Sequence, residues 1–157
     1  MDDYNFSSKD VLAYIFRKCA ELNISDVSIT KALKLLYCCY GVVLANNEVR
    51  LCKDHPACWT YGPVFPKSYR AWKERELDYN NKTVHAIEKD AELKDVLTQT
   101  LQFFGKYTAS KLVAWSHLPN SPWALSSYNG EHLYEDIDDA LIKDYFKKMI
   151  KKDNETT

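Results

Sequence analysis

The sequence predicts a mostly α protein: a compact single helical domain of about six helices, with an irregular aromatic connector and at most a short strand. Three observations predict it. Apolar residues recur at helical spacing in successive segments between Val11 and Ile150, as they do along the core-facing stripe of an amphipathic helix. The alternation expected of a half-buried strand is confined to Glu48–Cys52. Glycine and proline, which interrupt helices, number only 4 and 5 in 157 residues.

The first helix begins at Ser7, which with Asp10 three residues on resembles a capping box. Val11, Leu12, Ile15, Phe16, Cys19 and Leu22 then lie along one face. Ser28 is the expected N-cap of a second helix, in which Ile29, Ala32, Leu33, Leu36, Tyr37, Tyr40 and Leu44 keep helical spacing. Beyond Leu35 that helix is apolar on nearly every side, which predicts a central position. Asn46-Asn47 marks a turn, and Glu48–Cys52 supplies one small strand or extended arm. Pro66 suits the first turn of a third helix, continued by Tyr69 and Trp72, and the polar segment Asp78–Thr83 reads as a loop.

Leu93, Val96, Leu97, Leu101 and Phe104 predict a fourth helix from about Ala91, closed by Gly105 as a C-terminal cap. Thr108 caps a shorter fifth helix through Leu112, Val113 and Trp115, which Pro119 stops. From Pro119 to Gly130 the chain reads as irregular, with turn signals at Pro122-Trp123 and Asn129-Gly130. A sixth helix from about Asp138 sets Leu141, Ile142, Tyr145, Phe146, Met149 and Ile150 on one side. Residues 1–152 thus make one domain, and 153–157 a frayed tail.

Composition narrows function by exclusion. An apolar share of 46% with 27% charged residues belongs to a folded chain, not a disordered one. A formal net charge of -1 supplies no general attraction to a phosphate backbone. Lys147, Lys148, Lys151 and Lys152 close a helix that opens on Asp138 and Asp139, as the helix dipole favours, so nucleic acid is not an expected partner. The N-terminal MDDYNFSSKD is acidic where a signal peptide is basic, and no apolar run reads as a membrane span. No membrane partner is expected, and the expected location is the cytoplasm.

Catalytic and metal chemistry find little material. The sequence holds no glycine-rich phosphate loop, no H-E-x-x-H and no G-x-S-x-G. Five cysteines suit reduced thiols better than a disulfide framework, with Cys19, Cys38 and Cys39 as small buried hydrophobes. Cys52, His55 and Cys58, with His85 as a fourth ligand, offer a zinc set, but C-x2-H-x2-C is not the spacing of a finger or knuckle. No metal and no cofactor is expected. His117 is the histidine to weigh as the base of a Cys-His pair; its simpler reading is a ring at a helix C-terminus bonded to a carbonyl. No residue is assigned a catalytic role, and the chain is expected not to be an enzyme.

The aromatic segments are more informative. CWTYGPVFPKSYRAW (Cys58–Trp72) gathers tryptophans, tyrosines and a phenylalanine around one glycine and two prolines, and SHLPNSPW (Ser116–Trp123) again sets tryptophan beside proline. Proline stiffens the backbone, so the flat side chains are fixed at little further entropic cost. Rings of this kind anchor interfaces, or they plug the ends of a helical core.

LKLLYCCYGVVLA (Leu33–Ala45), ACWTYGPVFPKSY (Ala57–Tyr69), ASKLVAWSHLPNSPW (Ala109–Trp123) and LIKDYF (Leu141–Phe146) resemble, in that order, the landmarks of the Panacea domain, the SocA-like antitoxin or phage-associated protein family. The resemblance covers about Asp10 to Ile150. It implies a mostly helical domain of bacteria, prophages and plasmids that neutralises, by direct binding, a cognate toxin protein encoded nearby. The alternative it leaves open is a protease adaptor, or a phage-encoded regulator that binds a host protease or defence protein.

Carried over by position, the signature falls on Trp59, Gly62, Pro63, Val64, Tyr69, His117, Pro122 and Trp123. Trp59, Gly62 and Val64 are expected to be structural, with Trp59 in the core. Pro63, Tyr69, His117, Pro122 and Trp123, joined by Tyr61, are expected to bind the partner, with Tyr61, Tyr69 and His117 partly exposed. The sequence departs from the family pattern at Ala57, where an acidic residue usually stands two places before the first tryptophan. No DNA-binding module precedes the domain within this sequence, so autorepression is not among the expectations.

Overall fold

The structure is a computed structural model that describes residues 2–156, and side chains for residues 2–151. The elements run α1 (Ser8–Glu21), α2 (Ile29–Asn47), β1 (Ala57–Trp59), β2 (Gly62–Val64), α3 (Pro66–Lys73), α4 (Lys82–Lys89), α5 (Ala91–Gly105), α6 (Ala109–Ser116), α7 (Pro122–Ser126) and α8 (Asp139–Thr156). The mostly helical class expected from the sequence is the class observed. The expected tail at 153–157 lies outside the residues whose side chains are described.

α2 organises the molecule. Its N-cap Ser28 accepts from Lys31 N, and from Lys31 to Ala45 nearly every residue is buried. α1, α3, α5, α6, α8 and β2 all pack on it. Contrary to the sequence expectation, α2 has the length and apolar composition of a membrane span, yet 78% of that window is buried by the rest of the chain. A helix enclosed on all sides is apolar on all sides for that reason alone.

α2 and α8 pack closely at Gly41. A side chain at Gly41 would overlap the ring of Phe146, so glycine here makes room for an aromatic. Phe146 is fully buried, with ring centroids 5.6 Å from Tyr37, 6.0 Å from Trp115 and 6.4 Å from Phe104. Tilted and edge-on arrangements of this kind suit aromatic quadrupoles. The start of α8 is tied in as well, because Tyr40 Oη donates to Asp139 Oδ1 at 2.6 Å.

Of the lysines expected to follow the helix dipole, Lys147 and Lys148 meet acids at the surface. Lys143 and Lys147 converge on Glu48 Oε1 at 3.1 and 2.8 Å, and Lys148 meets Asp144 at 3.0 Å.

Several local expectations need correction. Ser7 makes no side-chain cap; instead Asp54, arriving from the loop after α2, accepts from Ser8 N at 2.9 Å and from Ser8 Oγ. The strand is not at Glu48–Cys52, where only Cys52 forms a single bridge, to Phe6. It lies in the aromatic connector, as the hairpin β1–β2. No helix is expected from the sequence between the loop at Asp78–Thr83 and Ala91; α4 lies there, capped by Asn81, which accepts from Val84 N at 2.9 Å, with Val84 and Ile87 buried.

The expected turn at Pro122-Trp123 is α7, with Ser121 as N-cap and Pro122 in its first turn, where a missing N–H costs nothing. Gly105 is the last residue of α5 rather than a left-handed cap. A Cβ there would come 2.9 Å from Ile24 Cδ1, so close packing is what calls for glycine.

Candidate functional site

β1 and β2 pair antiparallel, Ala57 with Val64, Cys58 with Pro63 and Trp59 with Gly62, leaving Thr60 and Tyr61 at the tip. Gly62 has φ +112, a conformation that other residues rarely adopt. It is also hemmed in, since a Cβ there would stand 2.5 Å from Ser116 Oγ and 2.7 Å from Lys34 Cε.

A two-stranded hairpin of three residues a side has little stability of its own. Here its carbonyl groups are taken by side chains from three helical segments. Trp123 Nε1 donates to Trp59 O at 2.8 Å, His117 Nε2 lies 3.0 Å from Thr60 O, and Lys34 Nζ donates to Pro63 O at 3.1 Å. The free edge of β1 is covered by the segment before α8: Tyr134 N donates to Cys58 O at 2.6 Å and Cys58 N to Glu135 O at 2.8 Å. The hairpin is therefore clamped on both edges and at its turn.

Two of the clamping groups have unusual surroundings. Lys34 is 1% exposed, and burial pulls its pKa down to about 8. His117 caps the C-terminal end of α6. Its Nδ1 lies 2.6 Å from Val113 O while Nε2 faces Thr60 O. Carbonyl oxygens only accept, so a ring with one N–H satisfies one of them and the doubly protonated ring satisfies both. The ring also rests on Trp123, with centroids 3.9 Å apart.

On this frame stands a row of partly exposed rings. Tyr134, Trp59, Tyr69 and Trp72 follow one another with centroid separations of 6.3, 5.4 and 6.0 Å. Tyr134 and Tyr61, the latter at the hairpin tip, are each 70% exposed, and Trp72 is 37% exposed.

The sequence-predicted residues thus divide. Tyr61, Tyr69 and His117 are exposed or half-buried, as expected. Pro63, Pro122 and Trp123 were expected to meet the partner; all three are buried, and Trp123 spends its one polar atom on the hairpin. Their part is to hold the surface. Trp59, expected in the core, is half-buried within the aromatic row, because its strand lies at the domain's edge. Gly62 and Val64 are buried, as structural positions should be. Sequence reasoning missed Lys34 and Tyr134. Lys34 interrupts an apolar run, a signal that was there to read; Tyr134 lies in an irregular segment with no periodicity to mark it.

The zinc candidates are scattered. Cys52 is buried beside the Phe6 bridge, His55 faces Arg50 and Asp139 at 3.1 and 3.7 Å, and Cys58 Sγ points at Trp123 O. Among the described residues no group of three or more His, Cys, Asp or Glu side chains is arranged to hold a metal ion. Burial pushes the Cys58 thiol up to about 11 and the Cys52 thiol well above its ordinary range, which disfavours the thiolate a nucleophile needs.

The model of the SocA-like antitoxin family, Panacea domain, matches residues 33–124, well over half of the chain. The chain belongs to this family. The matched segment of the Panacea domain opens one residue before Lys34 and closes one residue after Trp123, so it encloses the hairpin and all three side chains that clamp it. The antitoxin SocA of Caulobacter vibrioides (strain NA1000 / CB15N) is 28% identical over 161 residues, covering 93% of this chain and 85% of the relative. No solved structure matches the chain significantly.

Proposed function

We propose that this Panacea-domain protein is a non-enzymatic antitoxin that neutralises a cognate toxin by binding it directly, through the aromatic row Tyr134, Trp59, Tyr69 and Trp72 and the neighbouring Tyr61. One observation carries the reading: a row of partly exposed aromatic rings from α3 and the segment before α8 runs through Trp59 of the hairpin, whose carbonyl groups are held by Lys34, His117 and Trp123. Tyrosine and tryptophan dominate the energetics of protein interfaces. A surface ordered before binding loses little entropy on association, so more of the contact energy appears as affinity. Family membership supports the antitoxin role, and the name of the Caulobacter relative agrees with it.

The test is co-expression with the product of the neighbouring reading frame. The antitoxin restores growth to cells that express the toxin, and the two proteins co-purify. Tyr61→Ala and Tyr134→Ala, both at exposed positions, abolish rescue while the melting temperature is kept. Failure of rescue and of co-purification with both proteins folded refutes the function. Rescue that survives both substitutions refutes the surface.

A further inference from the structure

We propose that the corner between α5 and α6 is a second docking surface, which takes an acidic, apolar peptide segment of a protein partner with its large apolar side chain in an aromatic groove and its carboxylate toward Lys31 and Lys106. The groove is a cavity of about 300 Å³ whose lining includes Phe103, Phe104, Tyr107, Trp115 and Met149, with Lys111 also on it. Phe103 is 36% exposed. Beside it, and sharing Tyr107, lies a second cavity of about 330 Å³ that includes Lys31 and Lys106. Each has the capacity of a small ligand site.

The charges select the occupant. Lys31 is 3% exposed. Its Nζ donates to Gly105 O at 2.7 Å and to Ser25 O at 3.1 Å, and both acceptors are neutral. An ammonium has three N–H groups, so one donor remains for a further acceptor such as a carboxylate oxygen. Lys106 Nζ sits over the rings of Phe103 and Tyr107, 4.6 and 5.3 Å from their centroids. Neither Lys106 nor Lys111 pairs with an acid among the described residues, and Asp26 is the one acid lining either cavity.

An apolar floor with a basic rim is complementary to an amphipathic acidic segment. The surface uses no residue of the aromatic row, so the two surfaces can be tested separately.

The experiment is fluorescence polarisation with the full chain and two labelled synthetic helical peptides. One carries leucine and phenylalanine at helical spacing with glutamate elsewhere, and the other has glutamine in place of every glutamate. The acidic peptide binds about ten-fold more tightly or better, and high salt narrows the gap. Lys106→Glu with Lys111→Glu, both on exposed side chains, removes the preference without changing the melting temperature, and Phe103→Ser weakens both peptides. Equal binding of the two peptides, or acidic-peptide binding that survives both variants, overturns the proposal. A dimer in sedimentation that Phe103→Ser converts to monomer also overturns it, because the groove is then an interface between copies of this chain.

Discussion

Where α2 meets α8, a glycine faces a phenylalanine and the contact is apolar: Phe146 fills the space that Gly41 leaves and packs against Tyr37, Trp115 and Phe104. Where α2 meets the hairpin, the contact is polar, a buried lysine reaching the carbonyl of Pro63. The first region is held by shape and area, which act on the whole domain. The second is held by a few directional bonds, which fix one small element and the rings it carries. A protein that has to be stable and to present a defined surface can assign the two tasks to different forces, so damage to one leaves the other largely intact.

Four measurements break or sharpen that contrast. The largest effect is expected in the apolar contact: Phe146→Ala lowers global stability by about 3–5 kcal/mol in denaturant unfolding, as loss of a fully buried ring does. A smaller loss would mean that the aromatic cluster collapses into the space.

Next comes Lys34, whose pKa is about 8 in the fold against an ordinary 10.5. Between those values the unfolded chain holds a proton that the folded chain has released. Protons therefore favour unfolding, and the stability contribution of this residue rises with pH through the window. The difference in stability between wild type and Lys34→Met should increase by about 3 kcal/mol from pH 7 to 10.5. Comparison with the variant cancels the titration of groups that do not interact with Lys34; the thiol of Cys38 does interact with it. A flat difference would show that the lysine is hydrated.

Trp123→Phe removes the indole N–H and leaves Trp59 O without its donor, for an expected loss of about 1–3 kcal/mol. Hydrogen exchange should rise in Trp59–Val64 before it rises in α2; a uniform rise would join the hairpin to the global core. The smallest stability effect belongs to Tyr61→Ala, expected within about 0.5 kcal/mol. The same substitution should weaken the proposed complex with a toxin by about 2 kcal/mol or more in titration calorimetry. A folding defect here would erase the distinction between scaffold and surface.

Much of the scaffold was legible in the sequence. α2 announced its central place by being apolar on all sides, and Ser28 and Thr108 marked helix starts that the structure confirms with bonds to Lys31 N and Lys111 N. α4 and α7 show too few apolar repeats to register as periodic, and, unlike the equally short α3 and α6, which Pro66 and Thr108 announced, α4 was entered from a segment read as loop. Their caps, Asn81 and Ser121, were the available signal. The site was legible only as a set of residue types: Trp59, Gly62, His117 and Trp123 stood out, while their roles did not.

By itself the sequence determined the helical class, the central helix and the stiff aromatic joint, because these follow from short-range patterns: apolar spacing, caps, and the restricted backbones of glycine and proline. It also contained the family signature. Tertiary structure alone decided that Trp123 faces inward to hold Trp59 O, that His117 closes on Thr60 O, and that Lys34 reaches Pro63 O. Those pairs lie 64, 57 and 29 residues apart. Which tryptophan becomes scaffold and which becomes surface depends on what the rest of the chain brings to each, and no local pattern encodes a bond between groups that only folding makes neighbours.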